Sequence, residues 1–287
     1  MEKLKVLITG SSGFLGSQLK SILINDQKLE IITYRDDLLD KELLRVFINN
    51  NPNIDIVVHL VGLFSSDIDK SIRVNFQTTK NLLEAIRYIN IKKFVYSSSG
   101  AVYGDPISEK SVESDPLLPK TGYGFSKMIA EECVKYYSRV NGFDYFIARF
   151  PNIFGESQKK GVVYNLLYSI KNHGYVTIHG DGEQRRDFLH VIDASKILHK
   201  IIKSSIKGTF NISSNLNLSI NELITIFKKE TNFDIKYVKS RDSVKDISLN
   251  IIKLINQINI VNKESSVENI YLLAKNFNLS SSNDYKS

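Results

Sequence analysis

The chain has 287 residues, of which 42% are hydrophobic, with one cysteine and a formal net charge of +7. This composition suits one large α/β domain, or a main domain with a smaller lobe, and excludes an intramolecular disulfide. No run approaches the roughly 18 apolar residues that a membrane span needs, and no signal peptide is evident, so a cytoplasmic location is expected. The charge suits an anionic ligand, but no dense basic run is interleaved with aromatics, so nucleic-acid binding is not expected. The five histidines show no metal-ligand spacing, so no metal is expected either.

Strand-like and helix-like segments alternate through the first 150 residues. The strands are KVLITG, LEIITY, IDIVVHLVG, KKFVYSSSG and FDYFIARFPNIFG; the helices between them are FLGSQLKSILIN, ELLRVFINN, VNFQTTKNLLEAIRYIN and one that begins near Tyr123. Continuous apolar strands separated by helices indicate parallel pairing with both faces of the sheet covered. Right-handed crossovers then predict an α/β fold with a doubly wound parallel sheet, the Rossmann architecture, over residues 1–150.

The alternation loosens after residue 150. GVVYNLLYSIKN is typical of a helix, and YVTIHGDGEQRRDF of a strand followed by a polar loop. Residues 187–204 are expected to pack back on the main domain. The rest of 151–287, mostly after about residue 205, is expected to form a smaller C-terminal lobe.

A glycine-rich turn follows the first strand directly. Gly10, Gly13 and Gly16 lie in KVLITGSSGFLGSQL and open a helix. Glycines let the backbone approach a pyrophosphate closely, and the helix N-terminus offers unpaired N–H groups to that anion. The turn therefore predicts a dinucleotide site.

The end of the second strand bears on which dinucleotide binds. An acidic residue there would bind the 2′-hydroxyl of NAD, whereas a nearby arginine would accommodate the 2′-phosphate of NADP. The chain has Thr33 and Tyr34, then Arg35 followed by Asp36 and Asp37. Arg35 favours NADP(H), and Asp36 keeps NAD(H) possible.

Tyr123 and Lys127 lie four residues apart at the start of a predicted helix, in TGYGFSKMIAEE. Residues at this spacing share one helix face. An ammonium beside a phenol favours the phenolate and should lower the pKa of the tyrosine. The pair is therefore a candidate for acid–base chemistry.

Five segments, TGSSGFLG, HLVG, YSSSGAVYG, YGFSK and GDGEQRRDFLHVIDA, resemble the extended short-chain dehydrogenase/reductase family. They are similar to its NAD(P)-dependent nucleotide-sugar branch of epimerases, dehydratases and reductases, and the resemblance covers nearly the whole chain. It implies an N-terminal Rossmann domain, a C-terminal lobe for a nucleotide-diphosphate sugar, and a place in polysaccharide precursor synthesis. It also implies a homodimer through the helix that carries Tyr123.

The resemblance also implies roles for individual residues. Ser99, Tyr123 and Lys127 match the catalytic set, while Asn75 matches an asparagine that orders the active site. Ser99, Asn152 and Arg186 match residues that bind the substrate. The cofactor positions are Gly10, Gly13, Phe14, Leu15, Gly16, Arg35, Asp37, Leu38, Val61, Gly62, Tyr123 and Lys127.

Three reactions branch from the hydride transfer at C4 of the hexose that the family shares. Dehydratases carry Asp-Glu after the hydroxyl residue, where this chain has Gly100 and Ala101, so dehydration is not expected. The short run TYRDDLLDKELL is similar to the NADPH-dependent reductases and favours reduction of a 4-keto nucleotide sugar. The alternative is a 4-epimerase, since YSSSGAVYG and GDGEQRRDF resemble those enzymes equally. The epimerases' second arginine is absent, and Lys239 or Arg241, which lie in that region, could substitute for it. A non-catalytic, cofactor-sensing protein on the same fold is the third possibility.

Overall fold

The computed structural model describes residues 3–239, 246–258 and 263–279. Its strands are β1 Leu4–Thr9, β2 Leu29–Tyr34, β3 Ile56–His59, β4 Lys93–Ser99, β5 Asp144–Phe150, β6 Asn152–Phe154, β7 Tyr175–His179, β8 Arg185–His190, β9 Gly208–Asn211, β10 Leu216–Ser219 and β11 Asp234–Val238. Its α-helices are α1 Phe14–Leu23, α2 Lys41–Asn49, α3 Ile68–Ser71, α4 Thr78–Ile86, α5 Gly122–Asn141, α6 Val162–His173, α7 Val191–Ile202, α8 Ile220–Lys228, α9 Ile252–Ile255 and α10 Lys263–Leu279.

A six-stranded parallel sheet lies at the centre of the molecule, in the order β2-β1-β3-β4-β5-β9. Both of its faces are covered, as the continuous apolar strands predict. One face packs against α1 and α7, and the other against α2, α4 and α5. The predicted α/β fold with a doubly wound parallel sheet is confirmed.

Two late segments return to this sheet. Buried residues of α7, among them Ile197 and Leu198, share a hydrophobic core with Val6 and Ile8 of β1. Strand β9 pairs with β5 and extends the sheet, although the sequence placed residues after about 205 mostly in the lobe. The boundary of the main domain at residue 150 stays a prediction.

Most of the remaining elements surround a second hydrophobic core. A three-stranded sheet in the order β10-β8-β6 and the parallel pair β11-β7 pack with α6, α8 and α10. FDYFIARFPNIFG, which looks like one strand, is divided at Pro151, whose nitrogen has no hydrogen to donate to a ladder. As a result β5 pairs within the central sheet, whereas β6 pairs with β8. No helix among the described residues is long and apolar enough to span a membrane.

The predicted long helix VNFQTTKNLLEAIRYIN is also interrupted. A π-helical segment, Ile72–Gln77, joins α3 to α4. Such π turns occur mostly as single insertions within helices, often at functional sites. This one contains Asn75.

Candidate active site

The turn between β1 and α1 brings two backbone segments unusually close. Gly10 has a φ of 75°, and a Cβ built there would lie 2.9 Å from the carbonyl carbon of Leu60. A Cβ on Gly16 would lie 2.0 Å from the Gly10 oxygen. Helix α1 begins at Phe14 and Leu15 with no side-chain cap, so its first N–H groups face the turn. This cradle fits the pyrophosphate of a dinucleotide.

The end of β2 carries the residues that bear on cofactor choice. Tyr34 pairs with Thr9 in the parallel register and is buried, and burial together with nearby aspartates raises its pKa. Arg35 follows it and is exposed. The Asp37 carboxylate accepts the Leu39 N–H at 2.9 Å and so stabilises the turn. The buried Leu38 comes next, and its carbonyl accepts a hydrogen bond from the Asn81 amide on α4 at 2.9 Å.

Ser99, Tyr123 and Lys127 are brought together where β4 meets α5. Ser99 is the last residue of β4, and its hydroxyl caps a short 3₁₀ helix, accepting the Ala101 N–H at 3.2 Å. Tyr123 lies in the first turn of α5, and its side chain is close enough to that of Ser99 for the serine to lower the pKa of the phenol. The Lys127 ammonium donates to the Ser97 carbonyl at 2.8 Å. Two oxygens and a buried cation therefore converge at the carboxyl edge of a parallel sheet, where such sheets bind ligands.

The protonation of this cluster differs from the expectation in one respect. Burial raises the pKa of the Tyr123 phenol, and only the neighbouring Ser99 side chain acts in the opposite direction. Burial also lowers the pKa of Lys127 to about 7. The sequence predicted a lowered tyrosine pKa beside the ammonium; in the structure the loss of solvation raises it instead, and Lys127 does not contribute to the shift.

The π-helical Asn75 connects this cluster to the loop after β3. Its side-chain oxygen accepts the Leu63 N–H at 2.7 Å, and its nitrogen donates to the Leu63 carbonyl at 3.0 Å and to the Ser126 hydroxyl at 2.8 Å. Val61 and Gly62 lie in that loop. A Cβ on Gly62 would lie 3.0 Å from the Lys127 nitrogen. The predicted cofactor position Gly62 is thus adjacent to the candidate catalytic lysine.

The other two predicted substrate residues, Asn152 and Arg186, lie on neighbouring strands of the three-stranded sheet. Asn152 begins β6 and donates to the Asp187 carbonyl of β8 at 3.4 Å. Arg186 lies on β8, is half-buried, and has a pKa lowered by burial. This sheet starts close to the catalytic cluster, because Phe150, two residues before Asn152, pairs with Ser99. Lys239 is exposed after β11, whereas Arg241 lies outside the described residues.

Sequence reasoning missed two features near Tyr123. Phe64 is exposed, and its ring contacts that of Tyr123. Glu131 is buried eight residues beyond Tyr123 and forms an ion pair with Arg149 of β5 at 2.7 Å. The i, i+4, i+8 spacing of Tyr123, Lys127 and Glu131 is the signal that could have placed Glu131 on the same helix face as Lys127, but it does not point to Arg149.

A match to a family model shows to which protein family the chain belongs. The model named "NAD dependent epimerase/dehydratase family" matches residues 6–213, well over half of the chain. The chain belongs to this family. The match confirms the predicted membership of the nucleotide-sugar branch and identifies the enzyme class as NAD-dependent.

Three individual proteins are similar to most of the chain. The chain is 31% identical over 256 residues to a Methanocaldococcus jannaschii protein named "Putative UDP-glucose 4-epimerase", a match that covers 79% of this chain and 83% of that one. It is 28% identical over 278 residues to a human dTDP-D-glucose 4,6-dehydratase, covering 84% and 79%. A solved UDP-N-acetylglucosamine 4-epimerase from Methanobrevibacter ruminantium, in complex with UDP-N-acetylmuramic acid, is 27% identical with a TM-score of 0.84, covering 96% and 98%.

These relatives favour the alternative reading of the sequence over its main one. Two of the three are named as 4-epimerases and one as a 4,6-dehydratase, and none is named as a 4-ketoreductase. The family is described as NAD-dependent, which gives no support to a preference for NADP.

Proposed function

We propose that this chain is a nucleotide-sugar 4-epimerase that uses a bound nicotinamide dinucleotide. The observation that carries the proposal is the meeting of Ser99, Tyr123 and Lys127 where β4 joins α5, at the sheet edge where the cofactor turn also lies. The 31% identical relative named as a UDP-glucose 4-epimerase supports the same reaction.

The chain's own residues would manage the proton at O4 of the sugar. The Ser99 hydroxyl would hold O4, and Tyr123 would accept its proton as the carbonyl forms and return it when the hydroxyl is restored. Lys127, as an ammonium, would favour the phenolate and bind the ribose of the cofactor. Gly10, Gly13, Phe14, Leu15 and Gly16 would hold the pyrophosphate. When bound, the nicotinamide supplies the exchange of hydride at C4.

The substrate would extend from this cluster to the three-stranded sheet. Asn152 and Arg186 would contact the nucleotide diphosphate, since a planar guanidinium suits a phosphate pair. Dehydration is disfavoured because Gly100 and Ala101 follow Ser99 and have no side chain that transfers a proton. This argument sets the chain apart from its dehydratase relatives.

A 4-ketoreductase that prefers NADP(H) is the second candidate, and Arg35 is the observation that favours it. Its exposed guanidinium at the end of β2 is suited to a 2′-phosphate. If it has this role, replacing Arg35 with Ala should raise the Kd for NADP by about tenfold or more, as expected for one lost charge-assisted contact, and leave the Kd for NAD unchanged. Equal effects on both cofactors would exclude a role in selectivity.

One assay separates the two reactions. The purified protein is incubated with UDP- and dTDP-hexoses and a catalytic amount of NAD, and in parallel with a 4-keto sugar nucleotide and excess NADPH. An epimerase interconverts the C4 isomers, followed by NMR, with no net change in nicotinamide absorbance. Stoichiometric loss of that absorbance with the 4-keto substrate would instead identify a reductase. Cofactor binding with no turnover in either arm would support the cofactor-sensing alternative.

A homodimer in the cytoplasm completes the proposal. Helix α5 buries Ala130 and Val134 against its own sheet but exposes Tyr136 and Val140, at 53% and 61%. These side chains offer an apolar surface to a second copy. Light scattering should give twice the chain mass, and the Tyr136→Glu variant should give the monomer mass.

The proposed cytoplasmic location rests on the presence of a single cysteine, and cell fractionation tests it.

A further inference from the structure

Three consecutive serines of β4 contact three successive turns of α5. The Ser99 side chain lies beside that of Tyr123, the Ser97 carbonyl accepts a hydrogen bond from the Lys127 ammonium at 2.8 Å, and the Ser98 hydroxyl donates to Glu131 at 2.5 Å. The proposed chemistry uses the first two contacts and leaves the third unexplained.

Glu131 is a carboxylate with no exposure to solvent. Arg149, which is 2% exposed, binds it through two guanidinium nitrogens, with its Nη2 at 2.7 Å and its Nε at 3.0 Å. The other terminal nitrogen of Arg149 donates to the Tyr103 hydroxyl at 2.7 Å, which in turn donates to Asn211 at 2.7 Å. A buried pair with every polar atom engaged holds its geometry firmly.

Glu131 also lies one helical turn beyond Lys127 on the same face of α5. Its negative charge raises the pKa of Lys127, against the effect of burial. The other groups that face Lys127 supply little charge. The Tyr96 ring lies 5.0 Å from the ammonium, and His59 on β3 is neutral because burial lowers its pKa to about 3. Tyr123 is neutral in the protein alone, and Arg149 is paired with Glu131.

We propose that Glu131, held by Ser98 and Arg149, is a positioning residue that favours the ammonium form of Lys127 against the effect of burial and fixes the register of α5 on β4. The catalytic consequence rests on the proposed function, because only a charged Lys127 assists Tyr123. The electrostatic effect on Lys127 does not rest on it and can be measured without any turnover.

The experiment measures the proton equilibrium of Lys127 through stability. The unfolded chain keeps this proton to about pH 10, whereas the folded chain releases it near pH 7. The protein should therefore gain stability, relative to its Lys127→Met variant, as pH rises above about 7. Urea unfolding across pH 5–10 locates the onset of this gain in the natural protein and in variants of Glu131.

Glu131→Gln should shift that onset to lower pH by about one unit, the size expected for a neighbouring charge. The double variant Glu131→Gln with Arg149→Met removes both charges, avoids an unpaired buried guanidinium, and should shift the onset in the same direction. The matched control is Glu132→Gln, which removes the same charge from the exposed neighbour that pairs with Lys135 at 2.7 Å. The control should leave the onset in place.

An unchanged onset in both Glu131 variants would overturn the proposal, as would an equal shift in the Glu132→Gln control. In an active enzyme the basic limb of kcat/KM should move with the onset. A shifted onset in a protein without epimerase activity would support the role of Glu131 and refute the proposed function, so the two failures are distinguishable.

Discussion

The rings of Phe64 and Tyr123 meet edge to face, with centroids 5.2 Å apart and planes at 62°. Phe64 is nevertheless 71% exposed, an unusual state for a phenylalanine, and it lies on the loop after β3. One side of the Phe64 ring is therefore accessible to a ligand in the site. Its other side contacts the ring of Tyr123, the candidate catalytic residue, and restrains its orientation.

Replacing Phe64 with Ala should lower kcat/KM by roughly 2- to 12-fold, the equivalent of one aromatic pair. The reason is that the Tyr123 ring loses a contact that holds its orientation. The control is Tyr88→Ala, which removes another largely exposed aromatic ring, beyond the end of α4 at the opposite edge of the sheet. A loss of the same size in the control would contradict the assignment.

Tyr123→Phe should reduce turnover by about 10²- to 10⁴-fold, the range for a lost general acid–base group. The change removes only the hydroxyl, so the Kd of the cofactor, measured by calorimetry, should stay within about twofold of the natural value. Retained turnover would refute the role given to Tyr123.

Alternating segments in the sequence predicted the central sheet, because burial on both faces leaves a continuous apolar signature in each strand. They did not predict β9, since four residues beside β5 form too short a run to be separated from lobe strands. The sequence did not predict the π turn at Asn75 either. The hydrogen bonds from the Asn75 side chain to Leu63 depend on the position of a loop, which sequence periodicity does not predict.

The candidate site was predictable where it depends on local spacing, as with Gly10, Gly16, Tyr123 and Lys127. The raised pKa of Tyr123 was not, because it depends on the solvent excluded by neighbouring elements. The ion pair of Glu131 with Arg149 was not predicted either, since its partners come from different elements.

Asn75→Ala should lower the free energy of unfolding by about 1–3 kcal/mol, since it leaves the Leu63 backbone groups without their partner and removes one of the two hydrogen bonds of the Ser126 hydroxyl. Activity should fall as well, because the loop carrying Gly62 is released. Asn172→Ala is the control: its amide bonds the Tyr168 carbonyl on an exposed helix, and its loss should cost less than about 0.5 kcal/mol in urea unfolding. Comparable losses in both variants would rule out a special role for Asn75.

His59 predicts an acid-sensitive stability. Its ring bonds the hydroxyls of Thr9 at 2.6 Å and Thr79 at 2.9 Å, and burial lowers its pKa to about 3. The unfolded chain binds a proton there below about pH 6.5 while the folded chain does not, so stability rises with pH from about 3 to 6.5. Relative to His59→Gln, the natural protein should lose urea resistance as pH falls through that window. Parallel pH dependences for the two proteins would show that His59 is not responsible.

The pairing of β9 with β5 has a consequence for synthesis of the chain. The ribosome synthesises β5 before residues 151–207, and it synthesises β9 only after them. During that interval β5 is a long, apolar, unpaired sheet border, the kind of edge that recruits strands from other molecules. Nascent or truncated chains that stop short of residue 208 should therefore aggregate, whereas those that extend beyond 211 can cover the border with their own strand.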